Sequence, residues 1–198
     1  DLGNTLIRYY SRSEFPEILN EAIAEVYELL TQSKYIDALF DDVWQRVSEE
    51  NHESPDYAVR PLEDRLERIF AIPEPSDDLM MSMCRCFMKP IFSRSGIYDD
   101  TLPVLSRLKS SGIKIAIISN TAWGSPAELW REEIERFGLQ EYIDLAVFCR
   151  DVGWRKPDSR AFDFALKSLS LTPSECVFIG DDARWDIAGP RAIGMDAI

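Results

Sequence analysis

Ile115-Ala116-Ile117-Ile118-Ser119-Asn120-Thr121 is the stretch that decides the fold. Residues 113–118 form an apolar, β-branched run of strand length, the pattern of a strand buried on both faces. The run stops at a hydroxyl, Ser119, followed by an amide, Asn120. Two further apolar runs, 145–148 and 177–179, are set apart from it by helical patterns over 128–137 and 159–169, and another helix is predicted over 185–192. An amphipathic helix over 101–110 leads into the first run. Alternating strand and helix predicts an α/β fold with a Rossmann-like, doubly wound parallel sheet. Ligands of such sheets bind at the carboxyl ends of the strands.

Chemistry-bearing residues collect at those ends. Asp1-Leu2-Gly3-Asn4-Thr5-Leu6 reads as the end of a strand and the loop after it. Ser119 and Asn120 follow the second strand, and Arg155-Lys156-Pro157-Asp158 forms a third segment. Gly180-Asp181-Asp182 closes the run 177–179, with Asp186 beyond it. The set comprises a carboxylate able to act as a nucleophile, a hydroxyl, a lysine and an acidic cluster that calls for a cation. Hard carboxylate donors of this kind select Mg²⁺.

These four segments, in this order, resemble the four motifs of the haloacid dehalogenase-like hydrolase superfamily. The similarity covers nearly the whole chain and is greatest to phosphatase-type members with a helical (C1) cap after the first motif, above all over 151–158 and 180–189. The resemblance implies a Mg²⁺-dependent phosphomonoesterase acting through an aspartyl phosphate on a small phosphorylated metabolite. Asp1 would be the nucleophile. Ser119 and the Asn120 backbone would hold the phosphoryl group, and Lys156 would neutralise its charge. Asp1, the Gly3 carbonyl and Asp181 would hold the metal, while Thr5, Asp182 and Asp186 would support the loops, Asp186 by orienting Lys156 or a metal-bound water. One position departs from the pattern: Gly3 stands where most phosphatases of the superfamily carry a second aspartate as general acid and base. That departure keeps two alternatives open, a 2-haloacid dehalogenase and a catalytically weak member used for binding or regulation. The Asp181-Asp182 pair speaks against the first, and retention of the other groups against the second.

Residues 12–92 carry helical periods over 15–30, 35–47, 62–70 and 79–92, with a polar break over 51–61, and no strand pattern. They are predicted to form an all-helical cap on a core made of 1–11 and 93–198. Most cap aromatics and methionines are expected in its interior. Trp123, Arg8, Tyr9 and Tyr10 are candidates for the substrate pocket, and Arg155 is expected as a surface charge, with a second phosphate contact as its alternative role. A strand is expected before Asp1 and another from Ile198, so the sequence is expected to continue at both ends.

The 198 residues carry a net charge of −13. That argues against nucleic acid and anionic membranes as partners, while a metal and a lysine can still draw a phosphate ester locally. No apolar run is long enough to span a membrane. Cys84, Cys86, Cys149 and Cys176 read as reduced thiols of a cytoplasmic protein, and with His52 as the sole histidine a zinc site is not expected. Nothing in the sequence sets the oligomeric state or names the substrate.

Overall fold

The computed structural model describes residues 1–37 and 39–198. Its architecture is α/β. Strand β1 (Ile7–Arg8) leads into α1 (Phe15–Gln32), α2 (Phe40–Glu50), α3 (Leu62–Phe70) and α4 (Asp77–Phe92), and β2 (Gly96–Ile97) brings the chain back. There follow α5 (Thr101–Ser110), β3 (Ala116–Ser119), α6 (Ala127–Arg136), β4 (Leu145–Phe148), α7 (Cys149–Val152), α8 (Ser159–Leu169), β5 (Val177–Phe178), α9 (Gly189–Ala192) and β6 (Asp196–Ala197).

β3 pairs with β4 in parallel, Ser119 opposite Phe148, and β5 pairs with β6 in parallel. These are the parallel pairs that the alternating pattern predicts. β1 and β2 pair antiparallel, because they are the outgoing and returning ends of the helical stretch between them. Among the described residues the three ladders share no strand. The strand expected from Ile198 begins earlier, at Asp196, and β3 begins three residues after Ile113, which is half-exposed.

The helical stretch coheres through its apolar stripes. α1 buries Ile18, Leu19, Ala22, Ile23, Val26 and Leu30, spaced to share one face, and Pro16 sits in its first turn where no N–H is needed. α4 answers with Met83, Cys84, Phe87, Met88 and Ile91. Each fully buried aliphatic chain of this kind contributes about 1.5–3 kcal/mol. Ser76 caps α4 by accepting from the Leu79 N–H at 3.3 Å, and Asp77 and Asp78 complement the positive end of the helix. The helix predicted over 35–47 begins only at Phe40 and runs on to Glu50; Tyr35 and Leu39 are exposed, and Ala38 lies outside the described residues. Leu39 is extended and precedes the first turn, so the apolar face of α2 starts with Phe40 and buries Val43 and Val47.

Several contacts join the helical stretch to the rest, among them a bridge, a buried arginine and a close backbone passage. Ala58 forms an antiparallel bridge with Trp154, flanked by Val59 N–H to Gly153 O at 2.9 Å and Arg155 N–H to Tyr57 O at 2.8 Å. Arg65, fully buried, lies 5.0 Å over the Trp123 ring and donates to Glu50 O at 2.8 Å. Gly124, at φ 69°, lets the backbone pass so close to Arg60 that an added Cβ would fall 2.1 Å from its carbonyl oxygen. Gly124→Ala meets both a backbone clash and an unfavourable φ, so it should lower unfolding stability by about 2–4 kcal/mol in urea melts. A loss below about 0.5 kcal/mol, the range of neutral surface changes, would show that this junction is loose.

Candidate active site

Asp1, Ser119, Lys156 and Asp186 meet at one point. The main-chain nitrogen of Asp1 donates to Ile179 O at 2.8 Å, which sets the residue beside the end of β5. Loop 2–7 then folds back tightly, with Leu6 and Ile7 N–H groups on Leu2 O and Asn4 N–H on Ile7 O. Ser119, the last residue of β3, donates to Asp1 Oδ1 at 2.8 Å. Lys156 Nζ donates to the same oxygen at 2.8 Å and to Asp186 Oδ1 at 2.5 Å.

Lys156 is only 2% exposed. Burial pushes its ammonium below the ordinary lysine value, and the Asp186 carboxylate pulls it back up. Its backbone is clamped by Asn120: Lys156 N–H donates to Asn120 Oδ1 at 2.8 Å, and Asn120 Nδ2 donates to Lys156 O at 3.3 Å. The sequence reading foresaw a role for the Asn120 backbone and missed this side-chain clamp, for which a single asparagine after a strand gives no signal. The other oxygen of Asp186 accepts from Asp182 N–H at 3.1 Å, so both its oxygens are engaged in positioning. Gly180 makes room for this carboxyl group, since a Cβ there would fall 2.4 Å from the Asp186 side chain.

Asp182 caps the next turn, accepting from Arg184 N–H at 2.8 Å and Trp185 N–H at 2.9 Å. That turn is π-helical over Ala183–Ala188, so the helix predicted over 185–192 is two short pieces. The wide turn carries Asp186 inward while Trp185 stays at the cleft. Asp1, Asp181 and Asp186 each present a carboxylate oxygen, all within 4.8 Å of one another. With Asp186 occupied by Lys156, the donors left for a hard cation are Asp1, the exposed Asp181 and the backbone of Gly3, which also lines the cleft.

Two sequence expectations need correction. Thr5 Oγ1 is buried without a hydrogen-bond partner among the described residues, and the loop is held by main-chain bonds and by Asn4, whose side chain accepts from Tyr9 N–H and donates to Tyr10 O, each at 3.2 Å. Arg155, expected at the surface, has a side chain only 15% exposed; it pairs with Glu53 at 2.6 Å and lies 5.5 Å over the Trp185 ring. Of the pocket candidates, Tyr9 packs its ring against Gly3 and Trp130, Tyr10 stacks on Phe15, and Trp123 is buried against Phe87 while still bordering the cleft. Arg8 also lines it. The cleft above Asp1 measures about 1580 Å³ and is bordered on its far side by Asn51, His52 and Glu53 from the polar break between α2 and α3.

The haloacid dehalogenase-like hydrolase family model matches residues 1–194. The chain belongs to this family. Ribulose-1,5-bisphosphate 5-phosphatase of Halopiger xanaduensis is 30% identical over 126 residues, 64% of this chain and 50% of that protein. Across its curated relatives of this kind, the haloacid dehalogenase-like chain spans about half of their length. Two solved structures share its fold over its full length and 82% of their own, each at 22% identity. They are a HAD phosphatase from Thermococcus onnurineus, TM-score 0.66, and a 2-haloacid dehalogenase from Pseudomonas syringae pv. Tomato DC3000, TM-score 0.67.

Lys156 is the counter-charge that lets Asp1 and Asp186 share a buried space. Lys156→Met leaves the two carboxylates facing each other and should lower stability by about 3–5 kcal/mol in denaturant titrations. A loss of under about 1 kcal/mol, the worth of an exposed ion pair, would contradict that role.

Proposed function

We propose that this haloacid dehalogenase-like hydrolase is a Mg²⁺-dependent phosphatase of a small phosphorylated metabolite, working through an aspartyl phosphate on Asp1. The observation that carries the reading is the placement of the Asp181 carboxylate beside Asp1, within the same 4.8 Å cluster. Displacement at carbon, as in a 2-haloacid dehalogenase, needs no cation, whereas phosphoryl transfer needs one and its carboxylate ligands. The relatives' names include phosphatases of ribulose bisphosphate, glyceraldehyde 3-phosphate and phosphoserine.

In this reading Asp1 attacks phosphorus with the carboxylate oxygen not tied to Ser119 and Lys156. Those two donors hold Oδ1 and fix the angle of attack. Ser119 and the chain at Asn120 then bind the transferred phosphoryl oxygens, and Lys156 meets the charge that builds on them. Asp186 keeps the lysine in place. Asp1, the Gly3 carbonyl and Asp181 would hold Mg²⁺, which when bound neutralises the phosphate and screens the carboxylates from each other. Gly3 carries no acid, so protonation of the leaving oxygen falls to water or a cleft side chain, and esters with good leaving groups react best. A water molecule then attacks phosphorus of the acyl phosphate, releasing inorganic phosphate and restoring the Asp1 carboxylate. The segment 12–92 acts as the cap: its 51–61 loop borders the cleft, and its movement admits substrate and then excludes bulk water. Four free cysteines suit a reducing, cytoplasmic setting, and no helix among the described residues is long and apolar enough to cross a membrane.

Hydrolysis of 4-nitrophenyl phosphate should require Mg²⁺, stop with EDTA and fall by at least about 10³-fold in Asp1→Asn. Ser119→Ala should lose about 10²-fold. Equal rates with and without metal, or release of chloride from a 2-chloro acid in place of phosphate turnover, would refute the phosphatase reading. Independently of turnover, Mg²⁺ with a beryllium fluoride mimic of the acyl phosphate should raise Tm in the parent protein and leave Asp181→Asn unmoved. A response in Asp181→Asn equal to the parent's would remove Asp181 from the metal site.

A further inference from the structure

We propose that Arg155, with Trp185 and Arg12, forms a subsite for a second anionic group on the substrate, remote from the ester being cleaved. The proposal rests on the phosphatase reading and narrows it to esters that carry a distal carboxylate or phosphate.

Arg155 directly precedes Lys156, and both side chains line the same cleft. Its guanidinium is largely buried and lies 5.5 Å from the centre of the Trp185 ring, over which Arg12 also lies at 5.2 Å. Two guanidinium groups at one ring repel each other, and anions beside them ease that repulsion. Here two carboxylates from the chain itself supply the charge: Glu53 on Arg155 at 2.6 Å and Asp182 on Arg12. The match is incomplete. Nε of Arg155 is buried and has no hydrogen-bond partner among the described residues, so the planar fork is only partly used. A guanidinium fork binds an oxyanion best through two parallel N–H donors, and a buried donor left idle is destabilising.

Glu53 behaves as a placeholder. It arrives from the loop between α2 and α3, it is more than one-third exposed, and it has a second partner in Arg65 at 3.1 Å. An incoming anion can take Arg155 and leave Glu53 on Arg65, so no carboxylate is stranded. The wider lining is mixed: six cationic side chains border this cleft against five carboxylates, Asp1, Glu14, Glu53, Asp181 and Asp182, in a chain whose net charge is −13. The cleft is thus less acidic than the chain as a whole, which lowers the repulsion that an anionic ligand meets there.

The test compares 4-carboxyphenyl phosphate with its neutral isostere 4-carbamoylphenyl phosphate, in the full-length protein, Arg155→Leu and Glu53→Gln. The quantity read is the ratio of kcat/KM between the two esters. In Arg155→Leu the ratio should fall at least tenfold, through KM for the carboxylate ester. In Glu53→Gln, which removes the competing carboxylate, it should rise above the parent value. A ratio unmoved in either variant overturns the subsite while leaving the phosphatase intact. Absence of turnover of both esters by the parent protein refutes the phosphatase reading, and the subsite falls with it.

Discussion

The Lys156 ammonium stands between the carboxylates of Asp1 and Asp186, 2.8 Å from one and 2.5 Å from the other. Three parts of the chain distant in sequence converge on this contact, and it works only if each ends in register. Asn120 at the end of β3 grips the Lys156 backbone, Ile179 after β5 holds the main chain of Asp1, and Gly180 clears the space that Asp186 fills. Gly189 extends the same constraint, since a Cβ there would press within 2.8 Å of Pro157, the neighbour of the lysine. A buried ammonium without its anions is costly, and two buried carboxylates without their cation equally so. The site is therefore one electrostatic unit, and its parts stand or fall together.

That unit is open on one side. The helical stretch closes over it through the Ala58–Trp154 bridge, the Arg65–Trp123 contact and the narrow passage at Gly124. The floor of the cleft consists of motif residues and its far wall of loop residues between α2 and α3. Motif residues and loop residues between α2 and α3 thus face each other across one cleft.

Much of this was legible in the sequence. The β-branched run before Ser119 and the short apolar runs ending at Phe148 and Gly180 marked the parallel pairs, and the 3.6 period gave α3, α5 and α8 their observed ends. Ser119 and Asp181 stood out because each follows an apolar run of strand length, whereas the roles proposed for Asp1, Lys156 and Asp186 rested on the resemblance of their segments to the superfamily motifs. What escaped was whatever depends on side-chain direction across the chain. Arg155 looked like a surface charge because its neighbours give no period; only the fold shows Trp185 and Glu53 beside it. Thr5 looked like a hydroxyl brace, yet main-chain bonds of loop 2–7 already do that work. The π-helical turn at Ala183–Ala188 was hidden for a similar reason, since Asp182 and Gly180 shape it through contacts that periodicity does not encode.

The central claim is that Asp1 is the atom-bearing partner in the reaction, and trapping the covalent intermediate tests it most directly. The protein would be mixed with an aryl phosphate and Mg²⁺, quenched in acid within one turnover, reduced with borohydride and mapped by peptide mass spectrometry. The account predicts reduction of an acyl phosphate at Asp1 alone, absent when Asp1→Asn is treated in the same way. Turnover with no modification at Asp1, or with the phosphoryl group found on Ser119, would contradict it.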